Sequence, residues 1–451
     1  MPDDSLIVDL YELTMAAGYF EKNYNPTVTF ELFIRDLPAN RNFLIAAGLE
    51  QAAHYLCDLS FSEEQIAYLK TLPNFKTVSA AFFDYLRRFR FSGNMYAIPE
   101  GTAVFQEEPL LQIEAPLIEA QIVETFLLAT INFQTMVASK AARVIYAATL
   151  DGVQRGVMEF GSRRAHGPQA SVLAARAAYL AGFMGTSNVL AGYRFGIPVL
   201  GTTAHSWTMA FENEKEAFQK YTEVFGEEAT FLIDTYDTVQ GVNNAMAVSP
   251  KFKAVRIDSG DLPAEAEKIR KILDDRGYRN VKIILSSDLN EYKIEDMIRQ
   301  RAPVDFFGVG TQVATSFDAP ALQGVYKMVE IKEADKTEYR AKFSRNKVTL
   351  PGRKQVWRFS DDAGRLSHDL ISGKDEDFGG QAEPLTRQYI KYGQLIRKTA
   401  TVNEIRPRVQ DNFKRLPGQI LDLRHKQPYA VKISGELEKL LEHLKSEMSA
   451  E

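Results

Sequence analysis

A single cysteine, Cys57, stands among 451 residues. One thiol cannot close an intrachain disulfide, and it excludes a zinc site built on several thiolates. Positive charge is not in excess either: 54 Lys and Arg face 59 Asp and Glu, a formal net charge of −5. That balance argues against a sequence-independent hold on nucleic acid or on an anionic membrane as the principal function. Long clean apolar runs are missing as well. The two most apolar stretches, residues 122–138 and 170–184, are interrupted by Glu124, Asn132, Gln134 and Arg176, so neither suits a bilayer span. The start, MPDDSLIVDL, is acidic and lacks the basic flank of an export signal, which sets a cytoplasmic protein as the expectation. No Walker A loop, H-E-x-x-H or G-x-S-x-G occurs, and the usual NTPase, zincin and hydrolase readings go with them.

What is present is a chain with 45% apolar residues, enough for a large core and about two or three domains. Residues 1–120 mix helical patterns with short strand-like runs such as TVTFELFI at 27–34 and read as an α+β region. Residues 121–152 carry apolar positions near helical period, so one long buried helix is expected from about 122 to 146, linking two parts of the molecule. From 153 to 330 one pattern recurs: a short apolar strand, a small or charged turn, an amphipathic helix. The expected strands are 157–160, 198–200, 230–233, 254–257, 281–285 and 304–307. Six such units in series argue for a parallel sheet, and fewer than eight make it an irregular, incomplete α/β barrel. After 330 the rhythm stops. Runs at 339–343, 347–350 and 355–359 read as a β-meander turning at Pro351-Gly352, residues 361–383 as a long surface loop, and 435–451 as a charged helix with one leucine stripe.

In a parallel barrel the C-terminal strand ends form the working face. Here they read Gly161-Ser162-Arg163-Arg164, Gly201-Thr202-Thr203-Ala204-His205-Ser206, Asp234, Asp258, Ser286-Ser287-Asp288 and Gly308-Val309-Gly310-Thr311. Hydroxyls and backbone N–H groups suit phosphate, carboxylates suit Mg²⁺ and arginines suit anionic oxygens. His205 is either a packed or surface imidazole, or a nucleophile oriented by a carboxylate such as Asp234. Asp234, Asp237, Asp258 and Asp261 could each cap the helix that follows. Capping accounts well for Asp261, which precedes Pro263, and poorly for Asp258, which alternates with Arg256 in a manner suited to a pyrophosphate and its metal. Gly308-x-Gly310-Thr311 is a weak dinucleotide fingerprint, but its glycines suit a phosphate nest. Arg163 and Arg164 after Phe160 are either a solvated pair or a site for a planar anion.

These residues spell a family. Asp9-Leu-Tyr-Glu-Leu-Thr-Met15, Phe30-Glu-Leu-Phe-Ile-Arg35, Glu159-Phe-Gly-Ser-Arg-Arg164, Gly185-Thr-Ser-Asn188, Gly201-Thr-Thr-Ala-His-Ser206, Arg256-Ile-Asp-Ser-Gly-Asp261, Phe307-Gly-Val-Gly-Thr311 and the 342–352 segment KFSRNKVTLPG closely resemble nicotinate phosphoribosyltransferases. The resemblance implies an irregular α/β barrel with a second domain built from both chain ends, residues 331–451 packing on the N-terminal region. It implies that nicotinate and phosphoribosyl pyrophosphate become nicotinate mononucleotide and pyrophosphate, with Mg²⁺, coupled to ATP hydrolysis through a phosphohistidine. By the same resemblance His205 is the phosphorylated residue, with Asp234 its orienting partner. Arg256 and Asp258 meet pyrophosphate and Mg²⁺. Gly308, Gly310 and Thr311 cradle the 5′-phosphate, and Thr203 and Ser287 are further substrate contacts. Phe160 and Arg163 hold the pyridine ring, with Tyr11 of the other subunit of a homodimer on its opposite face. Ser187 stands where the related nicotinamide phosphoribosyltransferases are expected to carry Asp. That amide-specific enzyme and a non-catalytic phosphosugar-binding barrel are the alternative readings.

Overall fold

Side-chain alternation along six short strands sets the architecture of the residues that carry the chemistry. In the computed structural model, which describes residues 4–333, 336–344 and 347–450, the chain divides into Val137–Pro320 and a second unit made of Met1–Met136 with Ala321–Glu451. Within Val137–Pro320, β1 (Gly156–Glu159), β2 (Gly185–Thr186), β3 (Thr230–Leu232), β4 (Ala254–Ile257), β5 (Lys282–Ser286) and β6 (Phe306–Val309) form one parallel sheet in the order β2-β1-β6-β5-β4-β3. The edges β2 and β3 do not pair with each other. The sheet is therefore the incomplete barrel that the repeating units foretold.

One face of this sheet carries Val157, Val255, Ile257, Ile283, Leu285, Phe307 and Val309, all buried, as expected where a parallel sheet is covered on both sides. Each such side chain contributes about 1.5–3 kcal/mol by leaving water. The opposite face begins as an apolar cluster of Met158, Ala254 and Ile284 with Phe160, Met184, Leu200 and Phe306 packed against it. Because side chains repeat every second residue, the next positions on this face are Arg256, Ser286 and Gly308, with Ser286 in register beside Gly308. Hence the face turns polar at the C-terminal strand ends. The expected strand at 198–200 is only a bridge between Val199 and Thr186. Its neighbour β2, missed in the sequence, has just two residues, too few to show alternation.

In the other unit, Thr27–Ile34 pairs antiparallel with both Pro109–Pro116 and Gly324–Glu333, so segments from the two chain ends share one seven-stranded sheet. The long helix expected from about 122 to 146 is Glu124–Ala148, preceded by a short helix Leu117–Ile122, and it carries the chain from one unit into the other. The expected loop at 361–383 is corrected. It holds the strand Leu366–Gly373, flanked by Lys354–Ser360 and Val431–Ile433. Its acidic character misled, because Asp369 is fully buried and paired with Arg358, Nε to Oδ1 at 3.0 Å and Nη2 to Oδ2 at 2.6 Å. Arg345 and Asn346 of the 342–352 segment lie outside the described residues. Among the described residues no helix is long and apolar enough to cross a membrane.

Candidate active site

The C-terminal ends of β1, β4, β5 and β6 enclose a cavity of about 220 Å³ lined by Phe160, Arg163, Arg164, Arg256, Asp258, Ser286, Ser287, Asp288, Gly308, Gly310 and Thr311. A larger cleft, about 330 Å³, lies among Asp4, His54, Tyr55 and Phe126 of the other unit. Size does not select between them. Only the smaller cavity gathers a guanidinium, a carboxylate and hydroxyls that already bond one another.

Arg256 is the hub. Its Nε donates to Ser286 Oγ at 2.9 Å and its Nη1 to Thr202 Oγ1 at 2.6 Å and to the Thr203 carbonyl at 3.3 Å. Its Nη2 lies 3.1 Å from Asp258 Oδ2, while Ser286 Oγ donates to Asp258 Oδ1 at 2.6 Å. Alternation explains this closure: Arg256 and Ser286 project from neighbouring strands on the same face. With 15% of its side chain exposed, the guanidinium is held in one orientation and still reachable from solvent.

Gly308 makes room for an aromatic ring. A Cβ there would lie 2.6 and 2.7 Å from the Phe160 ring carbons, closer than real contacts allow. Phe160 also sits under the Arg256 guanidinium, 5.9 Å from ring centroid to Cζ. Beside it, the buried Glu159 carboxylate accepts from Thr186 Oγ1 at 2.5 Å and from the Gly161 N–H, and burial pushes its pKa up. Glu159 thus braces the turn Ser162–Arg164 and β2 together. Thr311 opens the four-residue helix Thr311–Ala314 directly after Gly310. At the end of β5 the backbone is strained, with φ of 120° at Ser287 and 40° at Asp288, a region that L side chains rarely occupy.

His205 begins a short helix, His205–Met209. Its Nδ1 lies 3.1 Å from Thr235 Oγ1 and its Nε2 4.0 Å from Asp258 Oδ2. The expectation that Asp234 orients this imidazole is corrected. Asp234 Oδ2 instead accepts from the Asp258 N–H at 2.9 Å and from Ser259 Oγ at 2.5 Å, because the ends of β3 and β4 lie side by side and the open backbone N–H claims the carboxylate. Asp237 and Asp261 are helix caps, accepting from Gln240 N and Ala264 N.

The structure therefore gathers Phe160, Arg163, Arg256, Asp258, Ser287, Gly308, Gly310 and Thr311 at one cavity. Thr203 joins through its carbonyl. Ser187 is exposed and tied to β1 by its N–H on the Glu159 carbonyl at 2.9 Å, outside the cavity lining. Tyr11 belongs to the other unit, exposed, with its hydroxyl on Glu124. Three contributors were given no role of their own in the sequence: Thr202 and Ser286, read only as members of rim segments, and Thr235. All three stand next to residues that were given one, and only the register of neighbouring strands reveals them.

The family models for the nicotinate phosphoribosyltransferase (NAPRTase) N-terminal domain, the NAPRTase family and its C-terminal domain match residues 6–132, 156–354 and 378–441. The chain belongs to the nicotinate phosphoribosyltransferase family. A nicotinate phosphoribosyltransferase of Mycobacterium tuberculosis is 40% identical, covering 97% of this chain and 94% of its own. One of Bacillus subtilis is 39% identical, with 96% and 94% covered. The crystal structure of the human nicotinic acid phosphoribosyltransferase superposes with a TM-score of 0.87 at 28% identity, covering 97% of this chain and 99% of that one.

Proposed function

We propose that this chain transfers the ribosyl 5-phosphate of phosphoribosyl pyrophosphate to the ring nitrogen of nicotinate. Nicotinate mononucleotide and pyrophosphate leave, and coupled hydrolysis of ATP to ADP and phosphate passes through His205, as a step of NAD salvage in the cytoplasm. The observation that carries this reading is the closed Arg256–Ser286–Asp258 cluster beside the Phe160 ring and the Gly308–Thr311 turn. Family membership supports it.

Each residue has a task its geometry suits. Arg256 offers a fixed cation to the pyrophosphate, whose negative charge grows as the C1′–O bond breaks. The N–H groups around Gly310 and the Thr311 hydroxyl receive the 5′-phosphate. Phe160 gives the pyridine a flat face, and Arg163 meets its carboxylate. Ser287 and Thr203 close the rim. Among the described residues no group of three or more His, Cys, Asp or Glu is placed to hold a metal. Mg²⁺ characteristically takes one or two carboxylates together with substrate phosphates, so Asp258 fits as its protein ligand. Once bound, the ion neutralises leaving-group charge. We further propose a homodimer in which Tyr11 completes the partner's site.

Labelled nicotinate and nicotinamide, each with phosphoribosyl pyrophosphate and Mg²⁺, with and without ATP, test the reading. Nicotinate should be consumed, and faster with ATP. A preference for nicotinamide, or no turnover of either, refutes it. The same assay on Ser187→Asp tests the selectivity assigned to that position. A carboxylate near the substrate's own repels it, so kcat/KM for nicotinate should fall about ten- to a hundredfold while nicotinamide loses far less. If Ser187 only precedes the cap of the next helix, the ratio between substrates stays unchanged.

Gly308→Ala probes the ring pocket. The added methyl overlaps the Phe160 ring, which must turn or shift, so KM for nicotinate should rise about tenfold, near 1.4 kcal/mol. Steady-state kinetics with each substrate varied in turn would show it, and an unchanged KM would place the pyridine elsewhere.

A further inference from the structure

Behind the rim, on the long helix Glu124–Ala148, lie charges that the reaction scheme does not use. Lys140 is fully buried, and its Nζ lies 2.5 Å from Glu291 Oε2 and 2.9 Å from Asp318 Oδ1. One turn on, Arg143 donates from Nε to Glu291 Oε1 at 2.9 Å and from Nη2 to the Tyr292 hydroxyl at 3.1 Å. Both cations also lie over the Tyr292 ring, at 5.9 and 5.7 Å. In these contacts two cations face two carboxylates, and Glu291 is itself wholly buried. Such a cluster adds little stability over apolar side chains of equal volume, because desolvation offsets the attraction. Its value lies in fixing geometry.

What it fixes is specific. Glu291 opens the helix Glu291–Arg299, five residues after Ser286 of the Arg256 hub. Between them Ser287 and Asp288 hold left-handed φ values of 120° and 40°, a conformation that persists only where the surroundings over-determine it. Asn290 caps the helix by accepting from Tyr292 N and Lys293 N, and Leu289 is buried. Asp318 follows the Thr311–Ala314 helix, two residues beyond Ser316, which also has a positive φ of 42°. β5 and β6 are neighbours in the sheet. A single lysine therefore ties down the segments that follow both strands, one carrying Ser287 and Asp288, the other Gly310 and Thr311.

We propose that Lys140, Arg143 and Glu291 are positioning residues, holding these two strained segments where they receive the phosphate groups of phosphoribosyl pyrophosphate. The inference rests on the substrate assignment made above. It predicts a loss selective for that substrate, since Phe160 and Arg163 hang from a different strand, β1, and the adjoining turn.

The test uses the whole protein and four variants: Glu291→Gln, the charge-balanced pair Lys140→Met with Glu291→Gln, the conservative Lys140→Arg, and the mild Tyr292→Phe. Binding of phosphoribosyl pyrophosphate with Mg²⁺ is measured by calorimetry, KM for each substrate by steady-state kinetics, and folding by thermal melting. Glu291→Gln and the balanced pair should weaken phosphoribosyl pyrophosphate about tenfold in Kd and KM, with KM for nicotinate within about twofold. Lys140→Arg, which keeps the charge, should show only a small part of that loss, and Tyr292→Phe should cost about threefold. Folded variants that bind phosphoribosyl pyrophosphate as tightly as wild type overturn the inference. So does activity that falls only in step with the folded fraction. If the larger changes do not fold, an unchanged KM in folded Tyr292→Phe overturns it equally. Wild-type protein that fails to bind phosphoribosyl pyrophosphate overturns the substrate assignment itself, a result distinct from equal binding by wild type and variants.

Discussion

Arg256→Lys should lower kcat/KM for phosphoribosyl pyrophosphate by about a thousandfold, near 4 kcal/mol, in a protein that still folds. Charge is retained, so the loss measures geometry. The guanidinium reaches Ser286, Thr202, the Thr203 carbonyl and Asp258 at once because its donors are planar and divergent. A lysine ammonium is a single point with three rotatable donors and cannot hold that set. Two displaced charge-assisted hydrogen bonds in the transition state, at about 1.5–3 kcal/mol each, account for the size. Asp258 would also lose its contact with the guanidinium, keeping Ser286 Oγ at 2.6 Å and the His205 ring nitrogen at 4.0 Å. Steady-state kinetics beside a melting curve decide the matter: activity within tenfold of wild type would remove Arg256 from contact with the leaving group.

His205→Ala should carry no phosphate after incubation with ATP and Mg²⁺ and should lose coupled ATP hydrolysis, while slow ATP-independent transfer persists because the Arg256 cluster is untouched. The wild-type label should be acid-labile and base-stable. With Nδ1 engaged by Thr235 Oγ1, Nε2 is the nitrogen directed toward the Asp258 side of the site, and it is the atom expected to take the phosphoryl group. Thr235→Val should therefore slow labelling about tenfold by freeing the ring, whereas Asp234→Asn should disturb the end of β4 instead. Label that persists on the alanine variant sinks the assignment. The same variant tests the proposed shared site: mixed with Tyr11→Ala under subunit exchange, it should regain up to about a quarter of full activity, since in the proposed homodimer half of the pairs would be mixed and each would hold one intact site. Exchanged dimers that stay inactive would confine Tyr11 to its own chain's site or to none.

The residue types of the site were legible in order along the chain. A parallel sheet places its strand ends together, so short apolar runs followed by Gly, Ser, Thr, Asp and Arg already marked Arg163, Asp258, Ser287 and Thr311 as one rim, with Phe160 and Arg256 noted as their neighbours along the strands. The incomplete barrel followed from the same repetition. Register and partner choice were not legible, because a hydrogen bond between side chains on different strands depends on which residues lie abreast, and no local pattern encodes that. Hence Ser286 and Thr202 emerged as the partners of Arg256 only in three dimensions, and Thr235 displaced Asp234 beside His205. Polar composition misled where charge is buried in a pair: Asp369 read as part of a surface loop, yet Arg358, eleven residues away, is brought against it and both are buried. No pattern paired Lys140 of the expected buried helix with Glu291, far along the chain. Local sequence specifies what a side chain can do; tertiary packing decides which neighbour it does it with, because only packing removes the water that would otherwise satisfy it.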